Sequence, residues 1–550
     1  PQHRRPGAAA ARASAAGEDG AAAQEATAGA TFTITTPLYY VNAAPHMGSA
    51  YPTMAADTAA RFHRLRGEDV RFVTGVDEHG EKIARAAEAA GLSPQEHCDG
   101  VAKSYVALWE ALDIRYDAFV RTTADKHEAV VREFMERVWA KGDIYKSSYE
   151  GSYCVDCEEF KDEKQMTEDG DCLVHRRPCE KRSEENYFFR LSAYQEQLEA
   201  LLADPTFCQP ASRANEVRTL VKEGLRDFSI SRAAVDWGIP LERDPEQTVY
   251  VWFDALLGYV SALLDGRPLD EAVERGWPAD FHLVGKDILR FHVMYWPAML
   301  MSAGLPVPRG VYGHGFLTKD GLKMGKSMGN TLDPIELVER FGSDAVRYYF
   351  VKACAFGKDG DFSETQFLAA VNTDLANDLG NLLNRSKGLL KKRCGNELPR
   401  DAAALRAEGH AQVAAVDEAV DAAAAAYERL DFTAAGEAAM SVVREGNRLF
   451  DAAAPWATLK SEDEAEVAAG AEALLVAMES VRCAAVMLSP IVPGVAAKVY
   501  QQLGYSEDEF AAVAWDDARW GGLTASMEIP KAKPVFQRME AAEAETAAAV

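Results

Sequence analysis

Cysteine is scarce in this chain, with 9 among 550 residues, too few for a disulfide-stapled scaffold. Those that fall in close pairs therefore point to metal or redox chemistry. Basic charge is also short. Lys and Arg total 59 against 85 Asp and Glu, a net charge of −26. So acidic a molecule does not coat nucleic acid through its average field, and any nucleic acid must meet a local basic surface. No apolar run is long enough to span a bilayer. The most apolar late stretch, residues 483–497, is short and interrupted by Pro490 and Pro493. There is no internal repeat. What is present is 48% apolar and 26% charged, the composition of a globular chain rather than a disordered, collagenous or fibrous one. At about 150 residues per domain, the length predicts three or four domains.

Residues 1–30 are Ala, Gly, Ser and Arg with almost no large apolar side chain. Arg4, Arg5 and Arg12 among small residues fit the end of a transit peptide, which points to an organelle, mitochondrion or chloroplast. Glu18, Asp19 and Glu25 fit a low-complexity linker equally well, with a cytoplasmic location the alternative. From Thr31 the pattern changes. Alternating β-branched residues predict a strand over 31–36, a loop bounded by Pro37 and Pro45, and a helix over 51–65. A second apolar strand over 70–74 runs into Gly75-Val76-Asp77-Glu78-His79-Gly80 and another helix. Strand, loop and helix in repetition predict a parallel α/β sheet, whose ligands sit at the carboxyl ends of strands. Both His-containing loops fall there. Residues 145–186 are Cys-rich and charged, strand signals return at 248–253 and 281–284, and residues 367–502 have the Ala- and Leu-rich spacing of a helix bundle.

Two segments carry chemistry. His46-Met47-Gly48-Ser49 lies where a strand gives way to a helix, whose N-terminal N–H groups and dipole favour phosphate. Gly48 removes a side chain where a nucleotide approaches. Far along the chain, Lys323-Met324-Gly325-Lys326-Ser327 places two lysines among glycines, a cationic loop suited to clamping a triphosphate as charge builds on departing pyrophosphate. Together these resemble the two signatures of class I aminoacyl-tRNA synthetases. Pro37-Leu38-Tyr39-Tyr40-Val41-Asn42, the Asp77 loop, Tyr250-Val251-Trp252-Phe253-Asp254-Ala255 and Gly285-Lys286-Asp287-Ile288 resemble the methionyl-tRNA synthetase family in particular, over about residues 31–540. Two positions depart from the family pattern, Ser49 for His and Gly325 for Ser. Each loses or shortens a donor, while His46, Gly48, Lys323 and Lys326 remain, so activity is expected to persist.

The insertion adds an independent signal, Cys154-x2-Cys157-x14-Cys172-x2-His175. Paired ligands across a loop suit tetrahedral, structural zinc. Cys179 competes with His175 for the fourth place. The resemblance implies the rest. Its fold is a Rossmann-type parallel sheet split by a zinc-binding connective insertion and followed by a C-terminal α-helix bundle. The divisions are a tail (1–30), the first Rossmann half (31–144), the insertion (145–240), the second half (241–322), a signature-loop and stem-contact region (323–366) and an anticodon-binding bundle with its tail (367–550). Its reaction joins methionine to ATP, with Mg2+, as methionyl-adenylate and then to the terminal adenosine of tRNA(Met). His46, Lys323 and Lys326 are the catalytic candidates. Gly48, Ser49, Gly285, Asp287 and Ser327 join them around ATP. Asp77 would take the ammonium of methionine. Leu38, Tyr40, Trp252, Ala255, Tyr259, Ile288 and His292 would surround its thioether, which wants an aromatic pocket with one or two donors. Asn381, Arg385 and Trp456 would read the anticodon, and Lys387, Lys391, Lys392 and Arg393 form the candidate basic cluster. A monomer without membrane attachment is expected. The rivals are another class I synthetase, for cysteine, valine or leucine, and a non-catalytic tRNA-binding or zinc-dependent interaction protein.

Overall fold

The β-branched run at Thr31 continues past its expected end, and β1 spans Thr31–Tyr40. The computed structural model describes residues 29–155, 159–161, 165–173, 176–233, 235–324 and 331–540. With β1, the strands β2 (Asp69–Asp77), β3 (Ala118–Arg121), β4 (Cys208–Gln209), β5 (Phe281–Gly285) and β6 (Val311–His314) form a parallel sheet in the order β3-β2-β1-β5-β6-β4. Strand order reverses between β1 and β5. At such a switch point the flanking connections diverge, and a crevice opens at the carboxyl ends of the two strands. Residues 145–240 do not lie wholly outside this sheet, because β4 returns to its edge. The rest of that stretch builds an antiparallel sheet in which Ile144–Cys154 pairs with Glu180–Phe189, flanked by Glu159–Lys161 and Phe228–Ser229.

Helix α1 (Met47–Leu65) packs an almost continuous small-residue face against β1 and β2. Its Asp57 meets Arg347 at 2.7 Å, both side chains fully buried. The same guanidinium donates to the carbonyls of Ile491 at 2.8 Å and Pro490 at 2.9 Å. Removing one partner of such a pair costs about 3–5 kcal/mol, so the helix that begins at His46 is pinned to the C-terminal helices. Those include Ala411–Glu428, Phe432–Ala453 and Glu464–Leu488. The apolar stretch at 483 is the buried end of the last of these. No helix among the described residues is long and apolar enough to cross a membrane.

One expected strand is not formed as read. The strand Asp244–Val249 stops early, and residues Val251–Ala255 form a short helix, α2. The aromatic and β-branched run of 248–253 has strand propensity, but tertiary contacts of Asp254 override it.

Candidate active site

The cleft opens at the switch point, with a volume of about 450 Å³. His46 caps α1. Its Nδ1 accepts from Gly48 N–H at 3.0 Å, which leaves the proton of a neutral ring on Nε2 as a donor. Ser49 completes a capping box, its hydroxyl donating to the His46 carbonyl at 2.8 Å and accepting from His46 N–H at 3.2 Å. The residue that departs from the family pattern thus holds the imidazole-bearing turn. Gly48 also leaves room for the His46 ring. A Cβ there would stand 2.7 Å from the His46 ring. Gly285, at the end of β5, would collide through a Cβ with the Asp287 carboxylate. His46, Gly48, Ser49, Gly285 and Asp287 all line the cleft.

The eight residues expected around methionine line the same cleft. Trp252 stacks on Phe291 at 3.9 Å, and the Tyr40 ring meets its edge at 6.3 Å. His292 donates from Nδ1 to the Ile288 carbonyl at 3.1 Å, so its Nε2 accepts the Tyr259 hydroxyl at 2.7 Å. Two of the polar side chains expected around the thioether therefore satisfy each other. The Trp252 Nε1 is itself buried and has no hydrogen-bond partner among the described residues. Asp77 is 2% exposed at the end of β2. Its carbonyl accepts from Val41 N–H at 3.2 Å, and its charge helps to raise the buried Tyr259 hydroxyl after burial itself.

Burial lowers His292 to about 4, opposed by the Ile288 carbonyl. Burial also carries His282, beside it, well below the usual imidazole value. A folded value below the unfolded one stabilises the protein fully above about pH 6.5, and that stability is lost as pH falls through the folded value. The thermal midpoint of the parent should therefore drop between pH 6.5 and about 4 more steeply than that of His292→Asn. Parallel curves would show that this imidazole titrates in the fold as it does in the unfolded chain.

The late loop springs from the same place. His314, Gly315, Phe316 and Leu317 line the cleft, and the strand β7 (Leu317–Lys319) pairs with β8 (Leu322–Lys323) through Thr318 and Lys323. Lys326 and Ser327 lie outside the described residues. Sequence reasoning passed over Tyr39, Lys82 and Lys161, which also line the cleft. The Lys82 ammonium sits 5.5 Å over the Tyr40 ring. Lys161 reaches the cleft from the insertion, and no local pattern signals it.

In the insertion, Cys172 N–H donates to the Arg177 carbonyl at 2.8 Å and Cys179 N–H to Gly170 at 3.2 Å, a tight knuckle. Cys154 and Cys172 are buried. Burial raises the Cys179 thiol, and the adjacent Cys154 and Cys172 add to the rise. Among the described residues no three His, Cys, Asp or Glu side chains are gathered closely enough to hold a metal ion, so the thiols near Cys179 supply a soft donor set in kind but not a formed site. Cys157 and His175 lie outside the described residues.

On the bundle, the Arg385 guanidinium lies 5.6 Å over Trp456 and 4.7 Å over Phe450, and it pairs with Asp451 at 2.8 Å. Trp456 is 42% exposed rather than a core residue, and Asn381 is exposed one turn before Arg385. The basic cluster needs correction. Lys387 is buried, donating to the Gln502 side chain at 2.7 Å, and burial lowers it to about 8. Lys391, Lys392 and Arg393 are exposed.

Two family models match the chain. One, described as tRNA synthetases class I (M), covers residues 32–176 and 162–387. The other, the anticodon binding domain of methionyl tRNA ligase, covers residues 398–549. The chain is 55% identical to the chloroplastic/mitochondrial methionine–tRNA ligase of Arabidopsis thaliana, over 94% of its own length and 85% of that protein's. It is 53% identical to a methionine–tRNA ligase of Synechocystis, over 93% and 98%. The crystal structure of Mycobacterium tuberculosis methionyl-tRNA synthetase with methionyl-adenylate superposes with a TM-score of 0.86 at 39% identity, over 92% of this chain and 100% of that one.

Proposed function

The chain belongs to the class I methionine–tRNA ligases, and from that premise we propose that its switch-point cleft joins methionine to Mg-ATP and then to tRNA(Met). The observation that carries this reading is the convergence on one cavity of His46 and Gly48 with Asp77, Trp252, Tyr259 and His292. The methionine carboxylate attacks the α-phosphate in line, releasing pyrophosphate. The ribose hydroxyl of the tRNA's terminal adenosine then attacks the mixed anhydride. No side-chain nucleophile is required, so the protein contributes positioning and charge stabilisation.

His46 donates Nε2–H to a phosphate oxygen, and Lys326 meets the charge that builds on pyrophosphate while Lys323 and Ser327 close the loop. Gly48 and Gly285 admit the nucleoside, with Ser49 and Asp287 fixing the turns that flank it. Asp77 pairs with the ammonium. Leu38, Tyr40, Trp252, Ala255 and Ile288 wall the side chain. An extra or missing methylene is worth only about 1–3 kcal/mol in an apolar pocket, so rejection of leucine and homocysteine relies on this close fit. Zinc would be held by Cys154, Cys157 and Cys172 with His175 or Cys179, a structural ion that fixes the knuckle. One equivalent of zinc in the purified protein, lost in Cys172→Ala, is expected on metal analysis. The N-terminal composition supports an organellar address, which fractionation tests.

Asn381, Arg385 and Trp456 offer stacking and hydrogen-bonding edges to splayed anticodon bases. Loss of one stacking platform costs about 1–3 kcal/mol, or roughly 5–150-fold. Trp456→Ala should lower kcat/KM for tRNA(Met) by that factor and leave pyrophosphate exchange intact. A fall in both activities together would make the residue structural. The reading as a whole is tested by charging a tRNA(Met) transcript with methionine, and failure to charge it would reject it.

A further inference from the structure

Asp254 takes no part in the contacts assigned to methionine or ATP, yet it is 1% exposed and holds two imidazoles. His79 donates from Nδ1 to one carboxylate oxygen at 2.7 Å, and His127 from Nε2 to the other at 2.6 Å. The other ring nitrogen of His127, Nδ1, meets the Ser261 hydroxyl at 2.7 Å. Burial would raise Asp254, but the two imidazoles hold it down to about 2. It is therefore an ionised acceptor throughout the working pH range. Burial likewise opposes a charged His79, and Asp254 overrides it, with Glu128 and Glu78 adding to the rise.

What the four residues join is specific. His79 belongs to the loop that carries Asp77. Asp254 belongs to α2, with Trp252 and Ala255. Ser261 lies on the helix Gly258–Leu264, with Tyr259. His127 stands on the helix Asp125–Lys141, behind them all. The loop is fastened on its other sides too. Glu78 N–H donates to Thr122 Oγ1 at 2.9 Å, Arg121 meets the Glu78 carboxylate at 2.7 Å, and Gly80 N–H donates to the Trp237 carbonyl at 3.1 Å. Asp254 fastens that loop to the helix bearing the indole. The elements that approach adenosine, α1 and β5, make no contact with this carboxylate among the hydrogen bonds and ion pairs of the described residues.

We propose that Asp254 is a positioning residue for methionine: by binding His79 and His127 together it sets the distance between the ammonium clamp at Asp77 and the pocket wall at Trp252 and Tyr259. The inference rests on the methionine-binding reading of the cleft. It predicts a split between the two substrates. A uniformly destabilised enzyme would not produce one, because the same protein binds both.

The test is steady-state pyrophosphate exchange with holoenzyme of the parent, Asp254→Asn, His79→Asn and His79→Leu. Asn at 79 retains an N–H donor near the place of Nδ1, and Leu does not. Leaving a buried polar partner unmatched costs enough for a change of about tenfold to a hundredfold. Asp254→Asn and His79→Leu should raise KM for methionine by that factor, with KM for ATP within about twofold. His79→Asn should stay within about threefold of the parent for both. Competitive inhibition by L-methioninol, which keeps ammonium and thioether but lacks the carboxylate, should weaken in parallel with methionine. Equal rises in both KM values, an unchanged KM for methionine in Asp254→Asn, or identical behaviour of His79→Asn and His79→Leu would each overturn the proposal. If Asp254→Asn does not fold, the two His79 variants decide it alone. A parent that shows no methionine-dependent exchange would instead reject the reading of the cleft itself.

Discussion

Lys326→Ala is expected to slow methionyl-adenylate formation by about 10²–10³-fold, with KM for methionine within about threefold. The reasoning starts from where charge moves. As methionine's carboxylate closes on the α-phosphate, negative charge accumulates on the departing pyrophosphate, and an ammonium aimed there gains interaction only as the reaction proceeds. An interaction made only in the transition state leaves ground-state affinity alone when removed and lowers kcat and kcat/KM together. Removing one such donor costs about 2.7–4 kcal/mol in comparable sites. The strand that launches the loop, Leu322–Lys323, is paired to residues just beyond Gly315 and Phe316, which line the cleft. An exchange rate within about tenfold of the parent, a barrier change of only about 1.4 kcal/mol, would contradict the role.

The second large effect is expected at Asp77, and in the other kinetic constant. Asp77→Ala should raise KM for methionine by about 10²–10³-fold and leave KM for ATP within a few fold. Asp77 is 2% exposed. An ammonium brought beside it leaves water and depends on that carboxylate for its charge. Deleting one member of a desolvated pair costs about 3–5 kcal/mol, largely as the penalty for the charge left behind. Methionine analogues without the amino group should lose little in the same variant, since they bring no charge to compensate. A variant whose KM for methionine stays within about threefold would assign the ammonium to another group. The two substitutions thus divide the chemistry. Lys326→Ala is expected to act on the rate at saturating substrate and Asp77→Ala on the affinity for one substrate.

Much of this site was legible because it is built from chain-local pieces at strand ends. His46 to Ser49 and the Asp77 loop each follow a parallel strand, and the strand pattern located the strands while stopping each of them three or four residues short of its end. The pocket aromatics come from the family resemblance and line the cleft, although the strand-like run that carries Trp252 folds as helix α2. Local propensity there favours a strand, and the competing information lies 175 residues away in His79 and 127 away in His127. Asp254, whose partners are so distant, could not be read from its neighbours. The same holds for Lys387. A run of cations predicts a solvated face, yet that lysine is buried against Gln502. The pairing of Tyr259 with His292 was hidden for another reason. Both residues were placed in the pocket, but which of two polar groups faces the ligand and which faces its neighbour is decided by angles no spacing encodes.

The measurement that bears most directly on the account is ATP–pyrophosphate exchange in the absence of tRNA, run with each of the twenty amino acids in turn. The account predicts exchange with methionine well above every other amino acid, and its near disappearance in Lys326→Ala. Exchange driven best by cysteine, valine or leucine, or by none, would contradict it.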